Sequence, residues 1–259
     1  MAWCLLLNTV MQCVAVLSSL RFAPEPMMGR AHRLVESQEV TATLLLTDSL
    51  AEQDLLESII DSAKPPVPDD CQHMHYLLYT PFRYPPLKYG SRFGTRAERG
   101  IFYASRQAQT CMAEVAYYRF CWWHDMLEAP PHAIDSCHTL FEFSYRSDSG
   151  VDFSSYDYAE SSEELKDRRS YRETQSLGRR VRESAVEVLV YPSARCINGG
   201  RNIALFHPAA IFSNTPELPQ STLCHTRANV VFFAIMERKL EFSLDSFLVD
   251  GELLRPESY

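Results

Sequence analysis

The sequence predicts an α+β fold, a mixed β-sheet with flanking helices, on three observations. Segments of strand length, either apolar or alternating, recur from residue 75 onward. Strong helical patterns interrupt them. The regular strand–helix–strand rhythm of a doubly wound parallel sheet is missing. At 259 residues and 46% apolar content, the chain can bury one generous core, or one core with a small appendage.

Residues 1–20 are mostly apolar, but the first basic residue is Arg21, and Asn8, Thr9 and Gln12 interrupt the run. Three readings stand: a buried helix, a signal peptide without its positive n-region, or sequence upstream of a start at Met27 or Met28. The third is preferred because the pattern turns amphipathic after Gly29. Thr47, Asp48 or Ser49 caps a helix over residues 47–64, whose Leu50, Leu55, Leu56, Ile59 and Ile60 share one face. Pro65 and Pro66 end it. The Pro-rich stretch 64–68 reads as a linker or as a loop inside one domain. As a linker it divides a partly helical extension, residues 1–66, from a main domain, residues 67–259.

Residues 75–79 read as a strand, and the prolines and glycines of residues 81–94 as a winding loop. Residues 101–104 form a short apolar strand. Ser105 then caps a helix running from Arg106 to about Trp122. Phe141, Phe143 and Tyr145 alternate with Glu142 and Ser144, the period of a half-buried strand. In the charge-dense stretch 160–184, Tyr171, Thr174, Leu177 and Val181 fall at helical spacing. Residues 186–191, 202–206 and 230–235 supply further strands.

Several chemistries lose their usual support. There is no Walker A loop, Gly-x-Gly-x-x-Gly, His-Glu-x-x-His or Gly-x-Ser-x-Gly. Twenty-five basic against thirty-three acidic residues, a formal charge of −8, argue against a phosphate-backbone binder. A small anion needs only one or two well-placed arginines. Eight cysteines without a Cys-x-x-Cys pair read as reduced thiols of a cytoplasmic protein. Cys71, His73 and His75 alternate but lack a fourth ligand at paired spacing, so no metal site is expected.

The informative block runs from Phe82 to Phe120. It holds Phe82-Arg83-Tyr84, Gly90-Ser91-Arg92-Phe93-Gly94, Gly100-Ile101-Phe102-Tyr103-Ala104-Ser105, and a helix carrying Glu114 among Cys111, Met112, Val115 and Ala116. On the residues alone, Glu114 either turns inward, where a carboxylate needs a partner or a job, or faces solvent. Arg92, between two glycines, either folds its planar fork toward an anion or decorates a turn. Tyr103 either offers an aromatic face to a cation or packs in the core. Ser193, after Pro192, is a donor at a strand end or a simple turn residue. A second block holds Tyr171 and Gln175, then Tyr191-Pro192-Ser193-Ala194-Arg195, then Asn202 through His207-Pro208.

In this order and spacing the two blocks resemble the RES family, named for Arg, Glu and Ser, over about residues 75–212. One departure is that Arg83 and Arg92 lie closer together than the family's two arginines. The resemblance implies an ADP-ribosyltransferase-like mixed sheet and the toxin of a type II toxin–antitoxin pair, with NAD⁺ as substrate and no cofactor. It implies cleavage of the nicotinamide–ribose bond through an oxocarbenium-like transition state, with Glu114 as the catalytic carboxylate. Arg83 and Arg92 would hold the diphosphate, Tyr103 would pack on the nicotinamide and Ser193 would bond its ribose. Gln175 and Asn202 complete the implied substrate contacts. The acceptor, whether water, phosphate or a protein side chain, is not legible. NAD⁺ depletion is preferred to mono-ADP-ribosylation of a protein, and a non-catalytic interaction protein on the same scaffold is the reading from another class. The implied partner is an Xre-like antitoxin that covers the pocket in an oligomeric complex, without direct nucleic-acid or membrane contact by this chain. The helix of residues 47–64 is a candidate for that interface.

Overall fold

The computed structural model describes residues 17–37 and 46–256, and within them the expected α+β architecture is present. Its strands are β1 (Glu25–Glu36), β2 (Phe102–Ser105), β3 (Ile134–Asp152), β4 (Val188–Pro192), β5 (Arg201–Leu205), β6 (Glu217–Thr226), β7 (Val230–Ile235) and β8 (Arg238–Ser243). The helices are α1 (Leu50–Ala63), α2 (Tyr76–Arg83), α3 (Ala108–His124), α4 (Ser162–Leu165) and α5 (Arg172–Glu183). All eight strands join one sheet in the order β1-β2-β5-β4-β3-β6-β7-β8. The sheet is mixed: β3 and β4 run parallel, and the other pairs are antiparallel.

Strand alternation builds two cores at once. Along β4, Val188 and Val190 enter one core while Leu189 and Tyr191 enter another, the period-two pattern of a sheet covered on both faces. The first core takes Leu78 and Phe82 of α2, and the second takes Leu177 and Val181 of α5. Each such buried side chain contributes about 1.5–3 kcal/mol. A third core forms where α3 packs on β6 and β7 through Met112, Ala116 and Phe120. Ten of the α3 side chains are buried, so the helix is apolar nearly all round, as a central helix must be.

Strand β3 pairs with β1 over almost all of β1, as well as with β4 and β6. Because β1 also touches β2, strands β1-β2-β5-β4-β3 close into a ring. The β1–β2 seam is a single residue pair, His32 with Ser105. This narrow seam positions the site.

The structure departs from the expectations at several points. Strand β1 lies in the stretch expected to be a helical extension, yet it is a full member of the sheet. Leu17, Leu20 and Phe22 also pack into the second core. A division at residue 66 therefore cuts the sheet, and the described part of residues 1–27 belongs to the fold; residues 1–16 lie outside the described residues. Residues 75–79, expected as a strand, begin helix α2, because Leu78 and Phe82 at i and i+4 face the core and the His75 ring accepts from Leu77 N. Helix α3 starts at Ala108 rather than at Arg106, since β2 continues through Ser105. Strands β6 and β8 were not expected. Helix α1 forms as expected, capped by Ser49, but only Gln53 is buried, and Leu50, Leu55 and Ile59 stand exposed. Among the described residues, no helix is long and apolar enough to cross a membrane, and six cysteines are free thiols.

Candidate functional site

At the β1–β2 seam lies a cleft of about 300 Å³, walled by Arg33 of β1, Tyr103 of β2, Glu114 of α3 and the Ser91-Arg92 turn. With so little pairing between β1 and β2, the carbonyl of Tyr103 needs a donor from elsewhere. Arg33 supplies it, with Nη1 donating at 2.5 Å. The same guanidinium lies 4.5 Å over the Phe102 ring. Burial lowers Arg33 to about 10, so it stays charged at neutral pH.

Glu114 is held by two donors on one oxygen. Its Oε1 accepts from Ser193 Oγ at 2.6 Å and from Asn202 Nδ2 at 2.5 Å. Neither donor is free to turn. The backbone N–H groups of Arg195 and Cys196 donate to Ser193 Oγ at 3.1 and 3.0 Å, so its one proton is left for Glu114. Ser105 Oγ donates to Asn202 Oδ1 at 2.7 Å, which aims the amide nitrogen at the carboxylate. The hydroxyl expected to cap α3 thus orients the site instead.

Tyr103 presents its ring to the cleft and uses its hydroxyl to tether the Arg92 turn. The hydroxyl accepts from Phe93 N at 3.1 Å and shares a 2.8 Å hydrogen bond with Ser91. Burial pushes this phenol up to about 12. Arg92 is 8% exposed; its Nη1 donates to the carbonyls of Leu165 and Asp167 at 2.9 and 3.0 Å, and its guanidinium lies 4.8 Å over Tyr171. Tyr118, Tyr171 and Tyr191 complete an aromatic lining.

Three expected residues do not line the cleft; Ser193 lines the neighbouring groove and reaches the cleft only through its hydrogen bond to Glu114, and the other two stand further away. Arg83, at the end of α2, donates from Nε to the Pro65 carbonyl at 2.6 Å. The expected loop at this point is the last turn of the helix, which carries Arg83 toward the 64–68 segment. Gln175 is buried on α5 and donates to the Ser91 carbonyl at 3.0 Å. It anchors the turn that carries Arg92. Gly178, one turn further on, packs against the Phe93 backbone so closely that a Cβ would collide with it. In place of Arg83 the cleft contains Arg33, which the sequence reading passed over. The signal available was Ala31, which shares the face of β1 with Arg33 two residues on and is buried in the first core. It was masked because His32 and Arg30 bond outward to Glu142.

The family model of the RES domain matches residues 67–226. The chain belongs to the RES family. Arg92, Tyr103, Glu114, Ser193 and Asn202 of this RES chain all fall within the matched stretch, whereas Arg33 precedes it. A search of curated protein sequences gave no match. Among solved structures, a chain from the crystal structure of the M. tuberculosis MbcT–MbcA toxin–antitoxin complex is similar at 12% identity and a TM-score of 0.45. The match covers 84% of this chain and 91% of that one.

Proposed function

We propose that this RES chain is the toxin of a type II toxin–antitoxin pair that cleaves the nicotinamide–ribose N-glycosidic bond of NAD⁺, depleting it by hydrolysis or phosphorolysis. One observation carries the reading: a carboxylate, Glu114, locked by Ser193 and Asn202 in a cleft lined by tyrosines and arginines. As the bond breaks, positive charge develops on the ribose, and a pre-oriented carboxylate stabilises it without reorganising. Nicotinamide carries its positive charge before cleavage and leaves neutral, so tyrosine faces suit the ground state and no strong general acid is required. Ser193 and Asn202 fix Oε1, which leaves Oε2 to the substrate. Arg33 and Arg92 give the cleft two cations suited to the substrate's diphosphate. Free thiols fit action in the cytoplasm. The exposed apolar face of α1 suits an antitoxin contact.

The test is the fate of NAD⁺ mixed with purified protein, with and without phosphate, followed by chromatography. Nicotinamide released by the wild type and not by Glu114→Ala supports the reading. ADP-ribose as co-product names water as acceptor, and its phosphate ester names phosphate. NAD⁺ left intact by the wild type under both conditions sinks the catalytic claim.

A further inference from the structure

The arginines that enter this fold mostly spend their guanidinium on backbone. Arg92 donates to two carbonyls, Arg33 to that of Tyr103, and Arg182 to that of Arg99 at 2.7 Å. Arg195 does not. It is 3% exposed, and among the described residues it is the one arginine whose two Nη atoms are both buried and without a hydrogen-bond partner. No carboxylate lies within salt-bridge distance of it among those residues. Its guanidinium rests instead 3.5 Å over the Tyr117 ring. Such a stack gains strength once desolvated, but burying a cation with unmade hydrogen bonds is costly. An apolar side chain would cover the ring without that cost, so packing alone does not account for an arginine.

The ring belongs to the stripe of α3 that carries Glu114. Thr110, Glu114 and Tyr117 fall at i, i+4 and i+7, one face of the helix. The turn after β4 lies along that stripe and is tied to it on both sides of Glu114. Gly200 comes so close to Thr110 that a Cβ would collide with its side chain, and the Thr110 hydroxyl lies 3.7 Å from Cys196 Sγ. Arg195 makes the other tie, on Tyr117, whose hydroxyl donates to the Leu254 carbonyl at 2.6 Å and so holds the ring in place. Between the two ties, Ser193 Oγ donates to Glu114 at 2.6 Å. The N–H groups of Arg195 and Cys196 both donate to that same Oγ, so hydroxyl and turn move as a unit.

The cation and the carboxylate also share a neighbourhood. Burial lowers the Arg168 guanidinium below its ordinary value; the charge of Arg195 lowers it further, and that of Glu114 opposes. Arg195 itself lines neither the cleft nor the groove beside it.

We infer that Arg195 is a positioning residue: its guanidinium, stacked on Tyr117, pins the 193–196 turn to α3 and so fixes the Ser193 hydroxyl on Glu114. On the NAD⁺ reading above, on which this last step rests, it acts on the rate of cleavage through Ser193 and without touching substrate.

The experiment is a pair of double-variant cycles on the full chain, Arg195→Met against Ser193→Ala. In denaturant unfolding, Ser193→Ala should cost less stability in the Arg195→Met protein than in the wild type, because the bond it removes is already loosened. In nicotinamide release, Arg195→Met should lower kcat about tenfold with KM little changed. It should cost little more in a protein that already carries Ser193→Ala. Arg195→Lys, which keeps a cation for the ring, should restore part of the rate. Melting curves check folding, and where Arg195→Met is unfolded, Arg195→Lys carries the same cycles with a smaller coupling. Equal stability costs of Ser193→Ala in both backgrounds, or a raised KM with kcat unchanged, overturn the positioning role. A coupled unfolding cycle in a wild type that never cleaves NAD⁺ upholds the pin on Ser193 and defeats the NAD⁺ reading. Cleavage with an additive unfolding cycle does the reverse.

Discussion

Replacing Ser193 and Asn202 by Ala, singly and together, dismantles the clamp on Glu114 one donor at a time. Both donors bond Oε1, at 2.6 and 2.5 Å, and a hydrogen bond to a charged group is worth about 1.5–3 kcal/mol. Each single variant leaves the other donor in place, so the carboxylate stays roughly oriented and kcat should fall about tenfold. The double variant releases the carboxylate, and its loss should approach about 10³-fold, the upper end of what removal of one pre-organised electrostatic group costs and roughly tenfold beyond the hundredfold that two independent losses would give. The two sites should therefore couple by about 1 kcal/mol or more. Glu114→Gln keeps an oxygen to accept both bonds but removes the charge, so it should fold normally and lose about as much as the double variant. The assay is nicotinamide release at saturating NAD⁺, with melting curves for each protein. Strictly additive losses, or a Glu114→Gln protein of undiminished rate, would refute the clamp.

Gly178→Ala improves helix propensity by about 1 kcal/mol, yet the new Cβ falls on the Phe93 carbonyl. The variant should lose about 1–3 kcal/mol in denaturant unfolding, and activity with it, because the Arg92 turn is displaced. The Arg99 guanidinium, bonded to both Asp70 oxygens, holds Asp70 at about 2, below its ordinary 3.8. A depressed carboxyl contributes stability that is present above pH 3.8 and is lost as pH falls toward 2. The full shift corresponds to about 2.4 kcal/mol, which screening at this partly exposed pair reduces to about 1 kcal/mol; Asp70→Asn should flatten the acid limb of the stability curve by that amount. Leu55→Glu with Ile59→Glu should leave the melting temperature of the isolated chain unchanged and abolish co-purification with the antitoxin; a shifted melting temperature would show that α1 packs on its own chain. Burial pushes the Cys111 thiol up to about 12, so maleimide at pH 7 should modify the exposed Cys137 and spare Cys111 until the protein is unfolded, as mass mapping would show.

Much of the fold was legible because its strands obey the period-two rule within short windows. Residues 230–235 coincide with β7, and residues 202–206 with β5 to within one position. The elements that escaped share a cause. Strand β1 carries Arg30, His32 and Arg33, side chains that read as surface until their partners across the sheet are known, among them Glu142 and the Tyr103 carbonyl. Helix α2 hid behind the run Tyr76-Leu77-Leu78-Tyr79, too short for periodicity to separate helix from strand. At the site, Glu114, Ser193 and Asn202 were placed together by a resemblance of motifs, and the structure brings them to one oxygen. Arg83, read in a loop, closes helix α2 instead and bonds the Pro65 carbonyl away from the cleft. Gln175 was found for its position on α5, but its amide serves the chain rather than the cleft.

The location of the cleft follows from the single β1–β2 pair. A ring of five strands that paired fully at every seam would fill its own opening and leave Glu114 facing a closed wall. Where β1 and β2 share only His32 and Ser105, the freed Tyr103 carbonyl must be satisfied by a side chain, because a buried unpaired carbonyl costs about 1–3 kcal/mol. A neutral donor would suffice for that purpose. Arg33 satisfies the carbonyl and also carries a buried positive charge into the cleft, at a desolvation cost visible in its lowered pKa. Charge is therefore the part of Arg33 that backbone satisfaction does not explain, just as it is for the unpaired guanidinium of Arg195. Arg33 lines the cleft with Glu114 where the sheet opens, so that a ligand there meets backbone, carboxylate and arginine together.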